Sequence, residues 1–266
     1  MSNLVMGVAT RYTANDLEPL VKSLRKHYSE DFVLFMYDPD YNMIDMLDYY
    51  NVKWETLSSD ISNGVEICNV RHLIYKQFLE ENPQYDKKVF IIDTRDVIFQ
   101  DNPFKHETTT SLEFFLENVT YINSECNGNW WIRGIYGEEV YQRMQHKCVV
   151  CAGTTLGTRE GMMFYLNSII NEIDRMIILR GGNNMSHHNP VVDQPCHGYL
   201  IYNNHFPDCK LYLSGHGPVA TMNDHNKMIF DKDGNLLNMD GSVVAVVHQW
   251  DRTGYFKDHF YKRAIA

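Results

Sequence analysis

The chain has 266 residues, 44% of them hydrophobic, and a formal net charge of −10 at pH 7. That is enough for one large α/β domain with a substantial core, or for two small ones. The acidic balance, with no basic stripe and interleaved aromatics, argues against a nucleic-acid binder, and no run approaches the ~18 apolar residues of a membrane span. The six cysteines are too scattered for a disulfide scaffold. Cys148-Val-Val-Cys151 has zinc-knuckle spacing, but no second pair follows, and it lies in an apolar run where cysteine behaves as a small hydrophobe.

Leu4 to Ala9 reads as a first strand and not as a signal peptide, because no basic region precedes it. Thr13 or Asn15 can cap a helix running to about His27. Phe32 to Tyr37 is a second strand, followed by a helix near Asn42–Tyr50 and a short strand at Val52–Trp54. Val65 to Glu81 has helical spacing, with Val70, Leu73, Ile74, Gln77 and Phe78 along one face. Val89 to Ile92 is a buried strand that delivers Asp93 at its C-terminal end. Strands separated by helices predict an α/β fold: a mostly parallel, doubly wound central sheet with helices on both faces. No GxGxxG is present, so the ordinary dinucleotide fingerprint is absent.

The second half is less regular. Leu112–Glu117 reads as a strand, Glu138–Gln145 as a helix, Val149–Leu156 as a strand and Arg159–Ile178 as a helix. Residues 180–190 form a polar loop that could fold over a ligand and exclude water. A short helix follows over Gln194–Asn203, then a hairpin of Lys227–Asp231 and Asn235–Asn238 through Asp233-Gly234. Val243–Val247 is an apolar strand running into His248. With no repeat or linker, one domain is expected over 1–266, with a small second sheet region.

Chemistry gathers at the strand ends. In an open α/β sheet, ligands sit at the carboxyl edge. A carboxylate there, such as Asp93, calls for a counter-charge. Hard oxygens suit Mg²⁺ or Mn²⁺, which usually bring phosphate oxygens with them. Residues 93 and 95 share a face of a strand and 96 points away. Asp96 therefore reaches the same ion only if the chain turns after Asp93; otherwise it pairs with Arg95 or caps a turn. Arg95 has a fork that suits carboxylates or a phosphate. His248 is placed as a neutral-imidazole ligand, or is simply a satisfied core residue. Asp193-Gln194 puts a carboxylate and a carboxamide at a helix start, where Asp is also a common N-cap. Small residues at Ala152-Gly153 let backbone approach a ligand. Trp130 and Trp131 offer an apolar platform for a sugar face, or are simply core.

These pieces, in this order, resemble the GT-A-fold glycosyltransferases, and among them the group with Asp-x-Arg-Asp in place of the usual Asp-x-Asp. The resemblance is carried by Ala9-Thr-Arg-Tyr12, Arg71, Asp93-Thr-Arg-Asp96 with Asn102-Pro-Phe104, Cys151-Ala-Gly-Thr-Thr-Leu-Gly157, Asp193-Gln194 and Val247-His-Gln-Trp-Asp-Arg252. It departs from the pattern at Arg95, where Asp is usual, and at Cys151, where Asn is usual.

The resemblance implies a metal-dependent transferase that moves a sugar from a nucleoside-diphosphate sugar, UDP-linked by preference, to an oligosaccharide or glycoprotein acceptor. It implies a nucleotide-binding half over 1–104 and a donor-sugar and acceptor half over 105–266. Asp93, Asp96 and His248 would hold Mn²⁺ or Mg²⁺. Ala9, Thr10, Arg11, Arg71, Asp93, Thr94, Arg95, Ala152, Gly153 and Arg252 would contact the donor, and Asp193 and Gln194 would line the reaction centre. A cytoplasmic location, of bacterial or large-DNA-virus type, follows as an expectation. A sugar-1-phosphate nucleotidyltransferase and a non-catalytic nucleotide-sugar or carbohydrate binder are the competing readings.

Overall fold

A strand that alternates its apolar side chains between two covered faces reads as an unbroken hydrophobic run, and three such strands, over Leu4–Ala9, Phe32–Met36 and Lys88–Ile92, lie at the centre of this protein. A computed structural model describes residues 2–58, 66–180, 192–223 and 227–266. β1 (Leu4–Ala9), β2 (Phe32–Met36), β3 (Lys53–Thr56) and β4 (Lys88–Ile92) pair in parallel. They are linked by α1 (Ala14–His27), α2 (Tyr41–Tyr49) and α3 (Ile67–Glu81). β5 (Val97–Phe99) leaves this sheet for a second one. β6 (Leu112–Thr120) and β7 (Cys148–Thr158) rejoin the first, with α4 (Glu138–Met144) between them. α5 (Arg159–Leu179), α6 (Asp193–Tyr202) and β8 (Cys209–Tyr212) follow, then β9 (Val219–Thr221), β10 (Val246–His248) and α7 (Lys257–Ile265).

The large sheet has the order β3-β2-β1-β4-β7-β6-β8, and the small one β5-β10-β9. β7 runs against both β4 and β6, while the rest of the large sheet is parallel. The fold class is thus the expected α/β, with a mostly parallel mixed sheet and a small second sheet.

Local sequence explains most boundaries. The Asp16 carboxylate takes both the backbone N–H of Thr13, at 2.8 Å, and its hydroxyl, closing a capping box at the start of α1. The Asp40 side chain accepts from Met43 N at 2.8 Å and starts α2. In the core, Leu4 and Met6 join Val70, Ile74 and Phe78 of α3 and Met162 and Leu166 of α5 on one face. Val5 joins Leu17 and Leu20 of α1 and Met43 and Leu47 of α2 on the other. The small sheet completes that second face through Val97, Phe99, Val219 and Val246. Its far side, Ile98, Ala220 and Val247, is covered by Phe260 and Ala264 of α7.

Several boundaries differ from expectation. β7 is longer than Val149–Leu156, and pairing with β6 shifts register around Leu116 and Val150. Glu125–Tyr136, including Trp130 and Trp131, winds as a π-helical segment; Trp130 is exposed and Trp131 packs partly against the core. The hairpin near 231 survives as a turn in which Asp231 accepts the amides of Asp233 and Asn235, flanked by single bridges and not by strands. Residues 181–190 of the expected lid and Val65 of the expected helix lie outside the described residues. No helix among the described residues is long and apolar enough to cross a membrane.

One buried group gives the fold a pH dependence. His197 of α6 has no exposed surface, and its Nδ1 lies 2.9 Å from the Tyr165 hydroxyl. Burial pushes it down to about 3, with Asp193 opposing too weakly to reverse this. The unfolded chain therefore binds a proton below about pH 6.5 that the folded chain refuses. Stability present above that pH is lost on acidification at about 1.4 kcal/mol per pH unit. Urea unfolding midpoints should fall between pH 6 and pH 4. A His197→Asn protein, less stable overall, should lose less over that interval. Parallel slopes would show that other groups carry the dependence.

Candidate metal centre

The site forms where β4 ends. The Asp93 amide donates to Gly153 O at 2.7 Å, so the last rung of the β4–β7 ladder fixes its backbone. The chain then bends through Thr94–Asp96. Thr94 anchors the bend by donating its hydroxyl to Val8 O at 3.0 Å. A side chain at Gly7 would collide with the Thr94 methyl, so the bend requires glycine on β1. The bend is the condition that lets Asp96 join Asp93. β5 starts at Val97, and His248 of β10 stands opposite it in antiparallel register. Gln249, at φ +57°, turns its amide back to Asp96 O at 2.7 Å. The small sheet thus carries an imidazole from the far end of the chain to the two carboxylates.

Nε2 of His248 is 3.4 Å from Asp93 Oδ2 and 3.6 Å from Asp96 Oδ1. One ligand atom from each of the three lies within 4.8 Å of the others. Adjacent ligands of an octahedral ion with ~2.1 Å bonds stand about 3 Å apart, so this is close to a coordination edge. His248 Nε2 is buried and has no hydrogen-bond partner among the described residues. Asp93, Asp96 and His248 could therefore hold a metal ion. Gly153 is required here, because a Cβ would come within 2.9 Å of Asp93 Cγ and closer still to its Oδ2 and to His248 Cε1.

Electrostatics favour a positive charge at the same point. Burial raises the Asp93 carboxyl, but Arg71 and His248 outweigh it and hold it well below the usual range. Burial pushes Asp96 up, assisted by Asp93 and opposed by His248 and Arg252. Burial pushes His248 down, yet Cys151, Asp93 and Asp96 raise it well above its ordinary value. The depressed Asp93 and the raised His248 both favour a positive charge between these carboxylates.

A cleft of about 240 Å³ opens beside this cluster. Thr10, Tyr12, Arg71, Arg95 and Arg252 line it together with Asp93, Thr94 and Asp96. Arg95 reaches out to Asp251 Oδ2 at 2.6 Å and lies only 3.9 Å from Asp96, while Arg252 Nη2 is 3.5 Å from Asp96 Oδ2. Ala9 is buried at the end of β1, and Arg11 is exposed at φ +62° beside the lining residues. Ala152 offers its carbonyl to Arg71 Nη2 at 3.1 Å.

Asp193 and Gln194 are placed differently from a capping pair. Val192 is the N-cap of α6, so Asp193 is the first helical residue and its side chain makes no cap. Its Oδ2 accepts from Arg71 Nη2 and lies 3.2 Å from His72 Nε2. Burial raises Asp193, but Arg71 and His72 bring it below its ordinary value. Gln194 spans β7: its Nε2 donates to Val150 O at 2.6 Å, and its Oε1 accepts from Ala152 N at 2.8 Å. Both ends of the carboxamide are thus engaged by backbone where the β6 register breaks.

Two contributors, His72 and Glu117, escaped the sequence reading, and two more, Tyr12 and Cys151, entered it only as members of motifs with no role of their own. His72 follows Arg71 on α3 with nothing local to mark it, and Tyr12 is an ordinary loop aromatic. Cys151 reads as a strand hydrophobe but lies 3.6 Å from His248 Nδ1. Glu117, half-buried at the end of an apolar run, is pushed up by burial and opposed by His248, Arg252 and Cys151; the polar residue closing that run is the signal that could have marked it. No protein-family model matches this chain, and no curated protein matches its sequence.

Proposed function

We propose that this protein is a metal-dependent glycosyltransferase of the GT-A type, moving a sugar from a nucleoside-diphosphate sugar, with UDP favoured, to a glycan or glycoprotein acceptor. The observation that carries the reading is the convergence of Asp93, Asp96 and His248 beside a cleft rimmed by three arginines. Two carboxylates and one imidazole suit Mn²⁺ best: carboxylates accept Mg²⁺ or Mn²⁺, and the nitrogen favours the transition metal. When bound, such an ion supplies Lewis-acid stabilisation of a departing diphosphate.

The chain's own residues supply the rest. Arg252, and Arg95 once it leaves Asp251, present guanidinium forks to phosphate oxygens. Arg71 holds Asp93 and Asp193 in place with both nitrogens. Tyr12 and Thr10, which line the cleft, would border the nucleoside. Asp193, held ionised by Arg71 and His72, faces the reacting sugar as a fixed negative charge. Ala152 and Gly153, without bulk, leave room for that sugar.

The test is incubation with UDP- and GDP-sugars and Mn²⁺, following released nucleoside diphosphate and its loss with a chelator. Release of one nucleoside diphosphate in a Mn²⁺-dependent manner is expected. Pyrophosphate exchange on a nucleoside triphosphate would instead identify a nucleotidyltransferase. Donor binding with neither transfer nor hydrolysis would identify a binding protein.

A further inference from the structure

We infer that Cys151 is a positioning residue for His248, its sulfur accepting the Nδ1–H of the ring so that Nε2 is the nitrogen left to face Asp93 and Asp96. The inference rests on the reading of those three residues as a cation site, and it concerns what surrounds that site.

Two contacts on one sulfur, together with the place of the ion, set the direction of the hydrogen bonds. Cys151 Sγ is 3.6 Å from His248 Nδ1. The Gln249 side-chain amide donates to the same sulfur at 3.8 Å, and a side-chain NH₂ can only donate. With Nε2 turned to an ion between Asp93 and Asp96, the ring proton sits on Nδ1, and the sulfur accepts from two N–H donors.

A neutral His248 in this setting carries its proton on Nδ1. Its Nε2 lone pair then points at Asp93 Oδ2 and Asp96 Oδ1. Reversing the chain, with S–H donating to Nδ1, would put the ring proton on Nε2, where it would occupy the place of an ion. Metal-bound histidines commonly have the second nitrogen held by a carboxylate or carbonyl, which fixes ring and tautomer. Here a sulfur takes that place.

Sulfur fits the spacing. A hydroxyl oxygen needs about 2.7–3.2 Å to an N–H, so serine in place would be a weaker acceptor, and alanine would leave two buried N–H groups without one. Cys151 is almost fully buried beside a fully buried His248, so bulk water does not replace it.

The experiment measures Mn²⁺ affinity by calorimetry for the full chain and for Cys151→Ala and Cys151→Ser, together with ¹⁵N NMR of the His248 ring in the Mg²⁺-loaded wild-type protein. Expected are a loss of about 10–100-fold in affinity for Cys151→Ala, a smaller loss for Cys151→Ser, and a ring proton on Nδ1. The NMR arm needs no variant and holds even if one folds poorly. A ring proton on Nε2, or a folded Cys151→Ala protein binding Mn²⁺ as tightly as wild type, overturns the inference while leaving the cation site standing. A strong thiolate charge-transfer band on Co²⁺ loading would also overturn it, by making the sulfur a direct ligand. A wild-type protein that binds no divalent cation removes the underlying site and the inference with it.

Discussion

The Asp93→Asn protein is expected to bind Mn²⁺ more than ~100-fold more weakly than wild type while keeping its fold; the fold-change corresponds to about 2.7 kcal/mol. Losing a group that merely orients a ligand costs about 10–100-fold, and Asp93 would itself be a ligand. Its two oxygens are divided: Oδ1 accepts from Arg71, and Oδ2 faces His248 Nε2. An asparagine cannot serve both sides, since one of its two ends is a donor. About a third of the Asp93 side chain remains open to the cleft, whereas Asp96 is almost closed off, so Asp93 is the carboxylate an ion entering from the cleft would meet first. The same carboxylates raise His248, so cation binding displaces a ring proton and affinity should climb with pH through the neutral range. Calorimetry at two pH values checks both points, with Asp231→Asn, in the distant hairpin turn, as a control. Unchanged Mn²⁺ affinity in Asp93→Asn would remove the site assignment.

What the sequence made legible follows from how each element is encoded. β1, β2 and β4 were readable because both their faces are buried, which turns alternation into continuous apolar runs. α1 was readable from Thr13, whose capping partner Asp16 stands three residues on. Strand direction is not encoded in such runs, so nothing marked β7 as the antiparallel member. β5, β9 and β8 have only three or four residues each and carry no period. The winding of Glu125–Tyr136 follows neither repeat that hydrophobic patterns reveal. At the site, Asp93 and His248 were visible as polar residues closing apolar strands. Asp96 was conditional on a bend that Gly7 and Thr94 permit. The N-cap reading of Asp193 failed because a nearby guanidinium and an imidazole draw the carboxylate inward, and Val192 takes the cap position. Long-range pairings of this kind, 122 residues apart for Arg71 and Asp193, leave no mark in local spacing.

That pairing carries the largest expected effect on stability. Arg71→Met should destabilise the fold by about 3–5 kcal/mol, as expected when one partner of a buried ion pair is removed, lowering Tm on the order of 10 °C. The guanidinium is 13% exposed and ties α3 to the ends of β4 and α6 through Asp93 and Asp193, and to β7 through Ala152 O. Without it Asp193, 6% exposed, keeps among the described residues only a neutral His72 as side-chain partner, since burial holds that imidazole low. The loss should depend on pH with a defined sign. In the wild type the depressed Asp193 carboxyl contributes stability above its unfolded value, and this fades as pH falls through the folded value. In Arg71→Met the chief opponent of burial is gone and the carboxyl rises, so the variant loses stability as pH rises above the unfolded value. The gap between the two proteins should therefore be wide at pH 7.5 and narrow at pH 4.5. Arg71→Lys keeps the charge but cannot fork between two carboxylates, and its stability should fall between the two. Urea unfolding of all three proteins at both pH values decides the matter. A gap that stays constant with pH would mean that Arg71 stabilises through packing of its stem, not by holding two buried carboxylates ionised.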